Sequence, residues 1–456
     1  MSQSVPAEIL IIGAGVFGLG TAYGLARRSE FNNSKITVLE RVEFPAPDGS
    51  SIDSSRIIRA DYADLPYAKL ISEAMPHWRG EFGAEGRYTQ SGLALISEPT
   101  PDREAANFLK GALQNVTEKL GLKVGRREDG GEVTVFEDEA GAREVYGNTT
   151  GGLVGTRGYV NWTSGWAHAE NGIRFMRKKI EATGRVAFRT AEVKRLLFNA
   201  SAVQGVETVS GEEITADLTV LAAGPWSGKL IDLRGIASAT GQVLTYIDIT
   251  EAEERRFSKP HHPVMLCEND GLFIIPPRNR ILKVARHGYG YANPVTIPHP
   301  EKAGEEITIS VPRTKLDDPN LGVPAEGEAA CREFLKKAIP SLGNRPFTHK
   351  RICWYMDTPE GDYLITHHPK YRGLFVATGG SGHAYKFLPS IGERIVDVIQ
   401  AKDRDELGAE LRQRWNWPQR IQEDHVWTND WRGSGPKGLI LEEEFQKTMS
   451  AEQAKS

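Results

Sequence analysis

The chain has 456 residues, 39% of them hydrophobic and 25% charged, with a formal net charge of −4. Such a length suggests two or three domains, and the composition fits a globular protein. The charge balance offers no strong field to nucleic acid or to an anionic membrane.

The chain opens with a βαβ pattern: a short apolar strand over 8–12, helical spacing over 17–28 and a second strand over 35–39. The stretch 45–55, rich in Ser, Pro and Asp, reads as a loop. A helix is expected over 62–82, with Leu70, Ile71, Ala74 and Met75 on one face. Residues 99–150 are charged and mixed, and 125–143 reads as a surface excursion. A helix over 166–181 follows, then strands and hairpins over 185–216 and a buried strand over 218–221. Further strands are expected over 242–248, 272–275 and 281–285, then a helix over 326–338. From Lys350 strand patterns return, closing at 374–377 and a helix over 390–400, while 406–456 reads as an arm or loose tail.

No run of about 18 apolar residues is present to span a bilayer, and the N-terminus lacks the basic start and cleavage site of a signal peptide. Cys267, Cys331 and Cys353 form neither a disulfide framework nor a CxxC pair, so a reducing, intracellular setting is expected. That setting is the cytoplasm or, through a faint likeness of Ala454-Lys455-Ser456 to Ser-Lys-Leu, the peroxisome. His261-His262 and His367-His368 are adjacent pairs read as loop residues, and no metal is expected.

Gly13-Ala14-Gly15-Val16-Phe17-Gly18 fits the GxGxxG turn of a dinucleotide site. Gly13 permits the tight turn, Gly15 the approach of backbone to pyrophosphate, and Gly18 the packing of helix on strand. The helix start then faces the phosphates. Glu40 lies 22 residues beyond Gly18, at the end of the second strand, where an acid grips ribose hydroxyls and repels the extra phosphate of NADP. The turn alone leaves NAD and FAD open. Two later strands also run into small-residue turns, at Ala222-Ala223-Gly224-Pro225-Trp226 and at Gly379-Gly380-Ser381-Gly382-His383-Ala384-Tyr385-Lys386-Phe387.

Taken with Arg56-Ile57-Ile58-Arg59, Ser164-Gly165-Trp166-Ala167-His168-Ala169 and Arg351-Ile352-Cys353-Trp354, these segments resemble the flavin amine oxidases of the D-amino-acid-oxidase superfamily. The resemblance runs over residues 7–400 and is strongest to the sarcosine oxidase, pipecolate/saccharopine oxidase and fructosyl amino acid oxidase (amadoriase) group, in particular its fungal amadoriase branch. It implies an α/β fold: a discontinuous Rossmann-like FAD-binding domain (1–95, 155–235, 346–405) with an inserted α+β substrate domain on a mixed or antiparallel sheet (96–154, 236–345).

The resemblance also implies roles. FAD would be bonded to Cys353, with Arg351 a candidate to favour the thiolate. Arg41, Ser55, Val193, Ala223, Gly224, Trp226, Gly382 and Phe387 would join Gly13, Gly15, Val16, Phe17, Gly18 and Glu40 around the cofactor, with Arg56 near the flavin. Arg59 and Lys386 would bind the substrate carboxylate, Phe273 would contact substrate, and His287 matches an active-site histidine. Lys283 would sit above the flavin and promote reduction of O2. Many sugar-amine oxidases lack the double arginine, so Arg56 and Arg59 pull away from a fructosyl substrate.

No residue stands out as an obligatory general base. The expected reaction is oxidation of a secondary-amine L-amino acid to an imine, with O2 reduced to hydrogen peroxide. The alternatives are a glycated amino acid, an N-methyl amino acid in a biosynthetic oxidation, and a non-catalytic nucleotide sensor. The expected partners are a small amino acid and O2, with the protein a monomer.

Overall fold

The computed structural model describes residues 5–98, 103–258, 262–421 and 436–453. A six-stranded sheet runs in the order Leu364–His367, Leu374–Thr378, Leu218–Leu221, Glu8–Ile12, Lys35–Glu40, Val186–Thr190. Its strands are parallel except the first, which pairs antiparallel with Leu374–Thr378. Ile12 pairs with Leu39 on one side and Leu221 on the other. The three strand ends therefore open at one edge, where a doubly wound sheet binds its ligand. These strands are almost wholly apolar because both faces are covered. Helices such as Val16–Arg27 cover one face of this sheet, and on the other Leu10, Ile12, Leu39, Leu221 and Val376 pack against Leu196, Val203 and Val206 of the strands Val193–Asn199 and Ala202–Thr208. Val16–Arg27 packs on Ile391–Ile399 through Gly20 and Gly24; a Cβ on Gly24 would come within 2.6 Å of the Gly392 carbonyl oxygen.

A second, ten-stranded sheet is mixed. Its centre is Ser238–Asp248, paired antiparallel with Ile281–Arg286 and with His349–Asp357. Alternation along these strands divides two cores. Leu244, Tyr246, Phe273, Ile275, Ala285 and Cys353 belong to the core that continues into the nucleotide sheet. Val243, Ile247, Ile274, Leu282, Val284, Ile352 and Trp354 belong to the opposite one, which also holds Phe334 and Leu335 of helix Ala325–Ala338. A charged residue on the first face is thus aimed between the sheets.

Five expectations change. His367, read as a loop residue, ends the strand Leu364–His367. The stretch 125–143, read as a surface excursion, gives the strand Val133–Phe136 to the ten-stranded sheet, with Val133 and Phe136 buried. Trp166 lies in a strand, Gly165–Ala167, because it pairs with Arg56–Ile58; the helix begins only at Ala169, where the His168 ring accepts from the Asn171 N–H. The helix expected over 62–82 is shorter, Leu65–Arg79. Within 406–456 the described parts are ordered elements, not a loose tail. Helix Glu406–Arg414 is followed by a fully buried Trp415, and Leu439–Ile440 adds a parallel strand beside Tyr291–Ala292. His261 and the terminal Ala454-Lys455-Ser456 lie outside the described residues. Among the described helices none is long and apolar enough to cross a membrane.

Candidate active site

At the open edge of the six-stranded sheet, Gly13 has φ +101°, and a Cβ there would meet the Ala222 carbonyl oxygen at 2.5 Å. A Cβ on Gly18 would fall 1.8 Å from the Gly13 carbonyl oxygen. Glycine is therefore required where the turn meets its neighbour strand and its own helix. The helix start carries no side-chain cap on Gly15; the Val16 N–H donates to Ser51 Oγ at 3.1 Å. Glu40 turns back on the same turn. Its carboxylate accepts from the Ala14 and Arg41 N–H groups, each at 2.9 Å. Burial raises its pKa, against the pull of those two donors.

The cleft over this turn is about 340 Å³. It is lined by Gly13, Gly15, Val16, Phe17, Glu40, Arg41, Arg56, Val193, Ala223, Gly224, Trp226 and Gly382. The Arg41 guanidinium lies 4.4 Å over the Trp226 ring and pairs with Asp48. Backbone donors at a helix start, a strand-end carboxylate and backbone packed too closely for any Cβ together fit the ADP half of FAD.

A smaller cavity of about 70 Å³ adjoins the cleft, sharing Arg56, Tyr355, Gly382 and Tyr385 with it. Leu244, Leu266, Phe273 and Ile275 form an apolar wall. Arg59, Lys283, His287, His383 and Lys386 supply the other chemistry. Gly382 has φ +69°, and a Cβ there would strike Tyr355 and His287 at 2.5 and 2.6 Å. The two rings close over the glycine turn, so its backbone can form cavity wall.

Lys283 is 3% exposed. Its Nζ donates to Asp53 Oδ2 at 2.6 Å and to the Ser55 carbonyl at 3.2 Å. Asp53 also pairs with Arg56 and accepts from the Tyr246 hydroxyl at 2.6 Å. Burial pushes the Asp53 carboxyl up, but Lys283, Arg56 and Arg351 together hold it well below the usual carboxylate range. For Lys283, burial outweighs the Asp53 carboxylate and brings the ammonium down to about 8.

Lys386 is 4% exposed and sits otherwise. Its Nζ donates to the Tyr62 hydroxyl at 2.7 Å and to the His383 carbonyl at 2.9 Å. The Tyr62 hydroxyl meets His383 Nδ1 at 2.9 Å, and His383 Nε2 meets the Gly361 carbonyl at 2.8 Å. A carbonyl only accepts, so Nε2 carries a hydrogen and, in the neutral ring, Nδ1 accepts. Burial, then the nearby Arg59, depress the Lys386 pKa well below its ordinary value. Arg59 itself donates to the Asp61 carbonyl and lies over the Tyr62 ring at 5.1 Å. Asp61 is fully buried on Asn161 and Ser164; burial raises its pKa, against Arg59.

The cavity thus gathers Arg56, Arg59, Phe273, Lys283, His287 and Lys386, from segments far apart in the chain. Arg56 and Arg59 meet there although their segment is not helical: strand Arg56–Ile58 ends before Arg59 and the chain turns. Gly18, Ser55, Cys353 and Phe387 line neither cavity. Gly18 packs the helix, Ser55 offers its carbonyl to Lys283, and Phe387 is buried beside Tyr62. Cys353 is fully buried, with its sulfur 3.5 Å from the Arg56 guanidinium. Arg351 donates to the Pro47, Gly49 and Ile52 carbonyls, and its charge also interacts with the Cys353 thiol. Its alternation with Cys353 along one strand keeps it on the same face.

Sequence reasoning missed Asp53, Tyr62 and Tyr246. Asp53 lies in the stretch read as an undefined loop, three residues before Arg56. His383 and Tyr355 lie inside quoted or adjoining motifs, yet received no role; Tyr355, two residues beyond Cys353 on a strand, shares its face.

The family described as "DAO: FAD dependent oxidoreductase" matches residues 8–398. Among curated proteins, the chain is 31% identical to the amino acid oxidase imqH of Aspergillus flavus, over 91% of this chain and 98% of that one. It is 28% identical to the L-saccharopine oxidase of Schizosaccharomyces pombe, over 90% and 92%. Among solved structures, the fructosyl peptide oxidase from E. terrenum superposes with a TM-score of 0.82 at 26% identity, covering 96% of each chain.

Proposed function

The chain belongs to the DAO family of FAD dependent oxidoreductases and is a FAD-dependent oxidase of amino acids, and we propose that its substrate is a secondary-amine L-amino acid, N-substituted or cyclic, turned over to an imine and hydrogen peroxide. The observation that carries this reading is the small cavity beside the nucleotide cleft. Arg59 and Lys386 line it near one another, Lys283 lines it held on Asp53, and Leu244, Leu266, Phe273 and Ile275 add an apolar wall.

A bound FAD would supply the acceptor for the hydrogen and two electrons of the carbon beside the amine, with O2 as the final acceptor. The chain's own residues orient and charge the site. Arg59 and Lys386 are the groups that would hold the carboxylate, the guanidinium through paired N–H donors. Leu244, Leu266, Phe273 and Ile275 shed water from the rest of the substrate. Lys283, fixed by Asp53, presents positive charge where O2 gains negative charge. His287 and Tyr355 pack against Gly382 of the glycine turn. Gly13, Gly15, Gly18 and Glu40 would hold the ADP half of the cofactor, and Cys353 would carry the flavin covalently. Arg56, beside both the sulfur and the cavity, supports that attachment.

The likeness to a fructosyl peptide oxidase favours a second reading, a deglycating oxidase. The apolar wall argues against it, because a polyol set against those four side chains would leave hydroxyls without partners. A peroxide assay over N-methyl amino acids, pipecolate, sarcosine, saccharopine and fructosyl-lysine tests the choice. The N-methyl or cyclic amino acids are expected to lead, and turnover of fructosyl-lysine alone would overturn the reading. Acid precipitation should leave yellow colour in the wild-type pellet and release it to the supernatant from Cys353→Ala. Colour released from both would remove the covalent link.

A further inference from the structure

The expected reaction needs a neutral amine, yet an amino acid arrives as a zwitterion whose nitrogen is protonated. Within the cavity, Lys283 already has a carboxylate partner in Asp53. Lys386 does not: its Nζ has a phenol and a backbone carbonyl as acceptors, and among the described residues no carboxylate lies within ion-pair distance. We infer that Lys386, besides meeting the carboxylate, is the base that discharges the substrate nitrogen. This inference rests on the amino-acid oxidase reading above.

The lysine meets the substrate as a neutral amine. The N–H bond of the substrate ammonium breaks, its proton goes to the lone pair on Nζ, and the new ammonium of Lys386 pairs with the carboxylate. One proton is relocated within the site and none is exchanged with solvent. An α-amino acid suits this transfer, because its nitrogen and carboxylate are borne on the same carbon. A lysine bonded to one is therefore close to the other.

The surroundings support the two states of Lys386. Arg59 faces it with positive charge, and burial removes water from it, so the free lysine resists protonation. Asp61 is the nearby anion, and it is engaged by Arg59, Asn161 and Ser164. From the glycine turn His383 offers its carbonyl, and from the segment after Arg59 the Tyr62 hydroxyl stands at 2.7 Å. Arg56, Lys283, His287 and Tyr355 also line the cavity. A bound carboxylate adds a full negative charge to a mostly cationic enclosure and tips the lysine toward its charged form. Tyr62 and His383 fix the position of Nζ in both forms, since a phenol oxygen accepts from amine and ammonium alike.

Titration calorimetry of propionate into the FAD-loaded enzyme, near neutral pH in buffers of different ionisation enthalpy, tests this directly. Propionate has the carboxylate without the ammonium, so its binding should draw about one proton from the buffer. Lys386→Arg, whose guanidinium never gives up its proton, should bind propionate with no proton uptake. Anaerobic bleaching of the same two proteins by an N-methyl amino acid supplies a second readout. In Lys386→Arg the rate should climb about tenfold per pH unit up to the free amine's own pKa, whereas the wild type should level off at lower pH. Propionate binding to the wild type without proton uptake overturns the base role and leaves the oxidase reading standing. Failure of propionate to bind at all removes the carboxylate end and overturns both. If Lys386→Arg does not fold, the wild-type proton count still decides.

Discussion

Lys283 and Lys386 border the same small cavity, both nearly fully buried, and are held in opposite ways. Lys283 stands on a carboxylate that two further groups also grip, Arg56 and the Tyr246 hydroxyl. Lys386 stands on a hydroxyl and a carbonyl, with a guanidinium nearby. A buried ammonium is costly unless paired, so the first corner is built to keep a charge and the second to acquire one. The same residue type thus suits the two tasks proposed for it: a standing field for O2, and a response to a substrate's carboxylate.

Breaking the first corner should have the largest effect. Asp53→Asn leaves Lys283 beside Arg56 without its counter-charge, and loss of one partner of a buried pair costs about 3–5 kcal/mol. Urea unfolding should register that loss, and adding Lys283→Met should recover much of it; strict additivity of the two would contradict the pairing. Lys283→Met alone should slow flavin reoxidation by roughly 10²–10³-fold, as for loss of one charge-stabilising donor. In the wild type, reoxidation should be fast while Lys283 is charged and should fall as pH rises through about 8. At the other corner, Arg59→Met should raise KM for the amino acid about a hundredfold, in line with the loss of a charged partner, measured by steady-state peroxide release. Tyr62→Phe removes the hydrogen bonds of its hydroxyl to Lys386 and to His383 Nδ1 and should cost about 1 kcal/mol in kcat/KM. A loss equal to that of Arg59→Met would mean the hydroxyl itself contacts substrate.

The two corners also differ in how far the sequence reveals them. Arg59, Lys283 and Lys386 were legible because each sits in a motif with a familiar neighbourhood, and Gly13 and Glu40 because βαβ spacing locates them. Asp53 was not, since its meaning comes from Lys283, 230 residues away, and no local pattern links the two. Tyr62 and His383 meet across 321 residues. The same applies to Trp166, whose apolar surroundings suit helix or strand until its pairing with Ile57 decides. Trp415, buried against the Tyr67 hydroxyl at 3.1 Å, looked like part of a tail because its partner is distant in sequence.

The most direct measurement is a double-mixing experiment on Arg59→Met and Lys283→Met: anaerobic bleaching of the flavin by an N-methyl amino acid, then addition of O2. The account predicts that Arg59→Met is impaired in bleaching and normal in the return of colour, while Lys283→Met bleaches normally and recovers its colour slowly. Impairment of the same step in both variants would contradict it.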